Sequence, residues 1–90
     1  MNEVFEALAH PIRREILKLL RKRPMSAGEL AEHFTIAKPT LSGHFAVLKN
    51  ADLVTTERQG TTIIYQLNTS VMEEALAAFM QLAGMKGKER

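Results

Sequence analysis

The sequence predicts a mainly α-helical domain carrying one small β-hairpin, in the order four helices, two strands and a last helix. Three observations predict it. Apolar residues recur at helical spacing from Val4 to Leu48, punctuated by prolines at positions 11, 24 and 39. Between Leu53 and Leu67 the pattern changes to alternation in a stretch rich in Val, Thr, Ile and Tyr. Helical spacing then returns from Val71 to Leu82.

Residues 2–9 place Val4, Phe5 and Leu8 on one helical face, with Glu3 and Glu6 near the start, where the helix dipole favours acids. Pro11 closes that helix and opens the next, because a first-turn proline sacrifices no hydrogen bond. In the second helix Ile12, Ile16, Leu19 and Leu20 form an apolar stripe, and Arg13, Arg14, Lys18, Arg21 and Lys22 fill much of the rest. Pro24 stops it. Ser26-Ala-Gly-Glu29 has capping-box spacing and starts a short third helix to about His33, with Leu30 and Ala31 inward. After a turn at Thr35-Ile36-Ala37, a fourth helix runs from Lys38 to Asn50 or Ala51, with Leu41, Phe45 and Leu48 on one face.

The two strands are expected over Leu53–Arg58 and Thr61–Leu67, joined at Gln59-Gly60, with Ile63, Tyr65 and Leu67 on one face. Thr69 or Ser70 is expected to cap the last helix, with Glu73 placed to complete a capping box. Val71, Met72, Ala75, Leu76, Phe79, Met80 and Leu82 cover more than one of its faces. The polar tail Lys86–Arg90 is expected to fray.

Ninety residues, 46% hydrophobic and 24% charged, predict one domain over residues 1–90. A chain this short buries only about 60–65% of its unfolded surface, so a thin core is expected to gain from a second subunit. The absence of cysteine rules out disulfides, cysteine–zinc clusters and thiol chemistry. No apolar run approaches a membrane span, and the acidic, helix-patterned start is unlike a signal peptide. A cytoplasmic protein without membrane insertion is expected.

Catalysis finds no support. His10, His33 and His44 have no Asp or Glu at metal-ligand spacing, and there is neither a Gly-rich phosphate loop nor a nucleophile elbow. Glu73 and Glu74 are adjacent on a helix and diverge. The reading is of a chain that is not an enzyme and calls for no cofactor or metal. Net charge is +2, but from His10 to Arg58 nine Lys/Arg stand against five Asp/Glu, the balance expected of a nucleic-acid face.

A short helix, a tight turn and a longer helix that starts with polar residues make a helix-turn-helix, here about residues 26–50. The hairpin over about 53–67 makes it winged. The second helix of such a unit enters the major groove of double-stranded DNA, which points to Lys38, Thr40, Ser42, Gly43 and His44 as contacts. At the wing tip Arg58, Gln59, Gly60 and Thr61 are placed for the DNA backbone or minor groove. Arg13 and Arg14 are further phosphate candidates. Val4, Phe5, Leu8, Met72, Leu76, Phe79 and Met80, on terminal helices of about 2–9 and 69–84, exceed what one thin core needs and predict a homodimer. Two competing readings are a winged-helix module that binds protein through the same face and a metal sensor built from His10, His33 and His44.

Three segments carry a family resemblance: Ala7-Leu-Ala-His-Pro-Ile-Arg-Arg-Glu-Ile-Leu17, Lys38-Pro-Thr-Leu-Ser-Gly-His-Phe-Ala-Val-Leu-Lys49, and Arg58-Gln-Gly60 with Tyr65-Gln-Leu67. Over about residues 3–83 the chain resembles the ArsR/SmtB winged-helix repressors, and within them the short members of the SdpR-type autorepressor group. The resemblance implies a homodimer through the first and last helices, an operator of inverted-repeat character, and residues 38–49 as recognition helix. The chain departs from the family pattern at Ala37, where a capping Ser is common, and at Gly43 and Phe45. The positions that hold metal ligands in sensing members are Ser26, Gly28 and Ala31, and Thr69, Val71, Leu82 and Met85, which are no ligand set. Release from DNA is then expected to come from a partner protein, a small ligand at the dimer interface, or turnover.

Overall fold

In the computed structural model, which describes residues 1–85, the helices are α1 (Asn2–Leu8), α2 (Pro11–Lys22), α3 (Ala27–Ala31), α4 (Lys38–Asn50) and α5 (Thr69–Leu82). The strands are β1 (Met25–Ser26), β2 (Val54–Gln59) and β3 (Thr62–Leu67). The expected fraying of Lys86–Arg90 lies outside the described residues.

Three expectations are corrected. The sheet has three strands rather than two, because Met25 and Ser26 pair antiparallel with Tyr65 and Ile64, giving the order β1-β3-β2. The hairpin turn sits one residue later than expected. Gln59 pairs with Thr62, leaving Gly60-Thr61 as a two-residue loop, and Gly60 alone of the pair takes a positive φ (66°). That is the type II′ pattern, with glycine first. The capping box expected for α5 does not form, since the N-cap is Asn68 and no side chain caps it. The box at α3 does: Glu29 N–H donates to Ser26 Oγ at 3.1 Å and Ser26 N–H donates to Glu29 Oε1 at 2.9 Å. That backbone donation, assisted by Arg23, holds the exposed Glu29 carboxyl below its ordinary pKa.

The core is a layer of helices closed by the root of the wing. α2 supplies Ile16, Leu17, Leu19 and Leu20, α4 supplies Leu41, Phe45 and Leu48, and Leu53 and Val54 enter from the start of the hairpin. Ile16, Leu30, Leu48 and Leu53 are the largest fully buried side chains, each contributing roughly 1.5–3 kcal/mol by leaving water. Tyr65 and Leu67 of β3 pack on this core, with the Phe45 and Tyr65 rings 5.0 Å apart.

α4 ends in a Schellman turn. Leu53 N–H donates to Leu48 O at 3.0 Å and Asp52 N–H to Lys49 O at 2.9 Å, with Asp52 at φ 61°. Leu48 and Leu53, the apolar pair of that motif, are both completely buried, so the turn fixes where the wing begins. Asn68 N–H donates to Leu53 O at 2.9 Å and closes the wing at its base.

Candidate nucleic-acid interface

α4 burial follows from its helical geometry. Leu41, Phe45 and Leu48 face the core, and Lys38, Thr40, Ser42 and Gly43 lie in solvent. No side chain caps the helix, because the N-cap is Ala37. Pro39 has no N–H, and among the described residues the amides of Lys38 and Thr40 find no acceptor. Free amides at a helix start, beside the Lys38 ammonium, suit a phosphate. Around Gly43 nothing lies within 4 Å of the place a Cβ would take, so no neighbouring helix of this chain requires the glycine.

His44 is placed differently from its expected neighbours. At about 100° per residue it lies only about 60° from Leu41 around the helix, on the shoulder of the buried stripe rather than on the outer face. It is half-buried, with its ring 4.4 Å from that of His10 and its Nδ1 3.1 Å from Arg13 Nη1. Partial burial first, then the nearby His10 and Arg13, push its pKa below the ordinary value of 6.5. One residue the sequence reading passed over is Val47, 37% exposed, whose apolar side chain can meet a thymine methyl. Its position one turn after Gly43, off the buried stripe, was the available signal.

Arg58, Gln59, Gly60 and Thr61 are all exposed at the wing tip. The two arginines near the start of α2, Arg13 and Arg14, are otherwise engaged. Arg13 donates from Nε to Ala7 O at 2.7 Å and from Nη2 to Glu6 O at 3.0 Å, and Arg14 donates from Nη1 to Leu8 O at 2.8 Å. Both satisfy carbonyls at the C-terminal end of α1, where a helix leaves acceptors without partners and favours cations.

A second surface lies on the terminal helices. Ala75 is the one buried residue of α5, whereas Leu76, Phe79 and Leu82 are 60%, 59% and 79% exposed. Between α1 and α5 runs an apolar groove of about 370 Å³ lined by Phe5, Leu8, Ala9, Met72, Ala75, Leu76 and Phe79. Met80 is half-buried. Val4, expected on this surface, is instead 7% exposed and belongs to the core of its own chain. Leu82 and Met85 extend the exposed apolar row beyond the expected set.

Among the described residues, no three His, Cys, Asp or Glu side chains gather to hold a metal ion; His10 and His44 meet, but without a third partner. No helix among them is long and apolar enough to cross a membrane.

Helix-turn-helix, wing and flanking helices define a winged helix-turn-helix protein. Solved structures agree: a crystal structure of an ArsR family transcriptional regulator superposes with a TM-score of 0.77 at 30% identity, covering 94% of this chain and 97% of that one. The family model for bacterial regulatory proteins of the arsR family matches residues 10–56. The chain is 46% identical over 76 residues to the transcriptional repressor SdpR of Bacillus subtilis (strain 168), covering 84% of each. It is 38% identical over 73 residues to the arsenical resistance operon repressor of Staphylococcus xylosus, covering 81% of this chain and 70% of that protein. The chain belongs to the ArsR family, a family of DNA-binding transcriptional regulators rather than enzymes.

Proposed function

We propose that this chain is a transcriptional repressor that occupies an inverted-repeat operator as a homodimer, its own promoter included among the targets. The observation that carries the reading is the exposed start of α4, where Lys38, Thr40, Ser42 and Gly43 stand clear of the core with free backbone amides beside them. Lys38 and those amides hold phosphates. Thr40 and Ser42 meet base edges, and Val47 meets a thymine methyl. Arg58 to Thr61 extend the contact along the backbone or into the minor groove.

The homodimer forms through α5 and the outer side of α1, which buries Leu76, Phe79 and Leu82 and sets two copies of α4 about one DNA turn apart. The absence of cysteine and the unmatched ligand positions support a regulator that does not respond to metals or thiols. Its release then depends on a partner protein, a ligand at the dimer interface, or turnover.

Selection of bound fragments from genomic DNA, followed by gel shifts on selected and random duplexes, tests this reading. The expected result is a selected fragment with two-fold symmetry, bound more tightly than random DNA and unaffected by zinc. Replacing Ser42 by Ala should narrow that preference by about 1–3 kcal/mol if its contact is bidentate. A chain that retains no fragment but captures a protein through α4 would favour the interaction-module reading instead. A zinc-dependent affinity would revive the metal-sensor reading.

A further inference from the structure

Arg13 ties its own helix, α2, to two others with one planar group. Its Nε and Nη2 donate to the carbonyls of Ala7 and Glu6 in the last turn of α1, at 2.7 and 3.0 Å. Its Nη1 reaches His44 Nδ1, in the middle of α4, at 3.1 Å. A guanidinium has donors and no acceptor, so His44 Nδ1 accepts, and the neutral ring carries its proton on Nε2. The other side of the contact is also fixed. His44 packs on His10 with ring centroids 4.4 Å apart, and His10 is itself pinned as the N-cap of α2, its Nδ1 accepting from Ile12 N–H at 3.1 Å.

We propose that Arg13 is a positioning residue for DNA recognition: through His44 it sets the angle of α4 against α1, and so the separation of the two reading helices in a dimer. The inference rests on the repressor reading above and adds a specificity-determining role to it. α1 borders the surface proposed to pair two copies, and α4 carries the residues proposed to read bases. A bond between them transmits the geometry of the pair to the reading helix. Half-site spacing is a geometric property of the dimer, so a loosened α4 tolerates wrongly spaced sites that a held one rejects. Lysine cannot replace the fork, because a single ammonium on a flexible stem lacks the planar donors that span three acceptors.

The experiment uses the full chain, the fragment it selects, the same fragment with one or two base pairs inserted between half-sites, and a random duplex. Variants are Arg13→Lys, His44→Leu, the double substitution, and His44→Asn, whose side-chain oxygen can stand near the place of Nδ1. Arg13→Lys and His44→Leu should each lower the preference for the selected over the random duplex about tenfold, and should bind the respaced fragment relatively better. The double variant should lose about tenfold and not a hundredfold, because both changes remove one shared bond. His44→Asn should stay within about threefold of the parent. If Arg13→Lys fails to fold, the His44 pair with the respaced fragment still decides the matter.

Equal losses on selected and random DNA would make Arg13 a phosphate contact and overturn the proposal. So would multiplicative losses in the double variant, or a His44→Asn variant as impaired as His44→Leu. A parent chain that selects no fragment would overturn the repressor reading itself, whereas a selecting parent with unmoved ratios in the variants overturns the positioning role alone.

Discussion

Helices α4 and α5 are nearly equal in length, 13 and 14 residues, yet they turn opposite chemistry to water. α4 buries Leu41, Phe45 and Leu48 and shows mostly polar or small side chains outside. Its amphipathicity is satisfied within one chain, which leaves its outer face free for a ligand that is itself polar and charged. α5 buries Ala75 alone and leaves Leu76, Phe79 and Leu82 in solvent. An α5 in this state gains stability when another apolar surface covers it, because a large apolar side chain returns roughly 1.5–3 kcal/mol on full burial. The contrast separates two tasks. One helix has its apolar face finished by the fold, and in the proposed dimer the other would be finished by assembly.

Four substitutions or conditions break or sharpen this contrast. The largest effect is expected from Phe79→Asp, which places a charge in the middle of the α5 surface. The dimer dissociation constant should rise about 10²–10³-fold, in line with roughly 2–4 kcal/mol for a central aromatic anchor. Sedimentation equilibrium measures this, and unchanged circular dichroism should show the monomer intact, since Phe79 contributes little to its core. A variant as dimeric as the parent would remove α5 from the interface.

On the recognition side, Arg58→Ala should weaken binding to every duplex alike and make the log–log salt slope shallower by about 0.9, the loss of one phosphate contact. Anisotropy titrations across salt concentrations report both numbers. Smaller still, Gly43→Ala should stabilise the chain by about 1 kcal/mol in chemical denaturation, because alanine favours the helix and its Cβ meets nothing within 4 Å.

The least effect is a proton-linked one. The folded chain keeps His44 less protonated than the unfolded chain does, so acid favours unfolding. The contribution is fully present above pH 6.5, the ordinary value, and is lost as the pH falls through the lower folded value. His44→Asn should flatten that part of the stability profile, and a variant with the parent's full acid dependence would assign the effect to another group.

Most of the fold was legible because the elements that define it carry local signals. The prolines, the capping box at Ser26 and Glu29, and the change to alternation at Leu53 each name a boundary without reference to the rest of the chain. β1 was not legible, because two residues are too few to show a period and their pairing with Tyr65 and Ile64 is purely tertiary. The hairpin turn slipped by one residue because Gly60 satisfies a turn as its first or its second central residue, and only the register decides. At α5 the sequence offered Thr69 and Ser70 as caps, but the chain enters the helix one residue earlier, at Asn68.

For the candidate site, the exposure of Lys38, Thr40, Ser42 and Gly43 was legible from the position of Leu41 and Phe45. His44 was readable in the same way, since helical geometry puts it beside the buried stripe, but its polarity suggested the outer face. The engagement of Arg13 with Glu6 and Ala7 carbonyls could not be read, because a long guanidinium chooses among acceptors that only the packed helices bring near.

Ser26 has a consequence for how the wing behaves. Its backbone stands opposite Ile64 in the sheet, while its hydroxyl and amide close the first turn of α3. A one-residue slip of the wing along that seam would pull the cap off the helix it starts. At Ser26 the hairpin and the helix-turn-helix are therefore geared together, beside the Met25–Tyr65 pair and the Phe45–Tyr65 contact. A displacement of the wing at that seam reaches the entry to the helix pair as well, so the two move as one body rather than as independent parts.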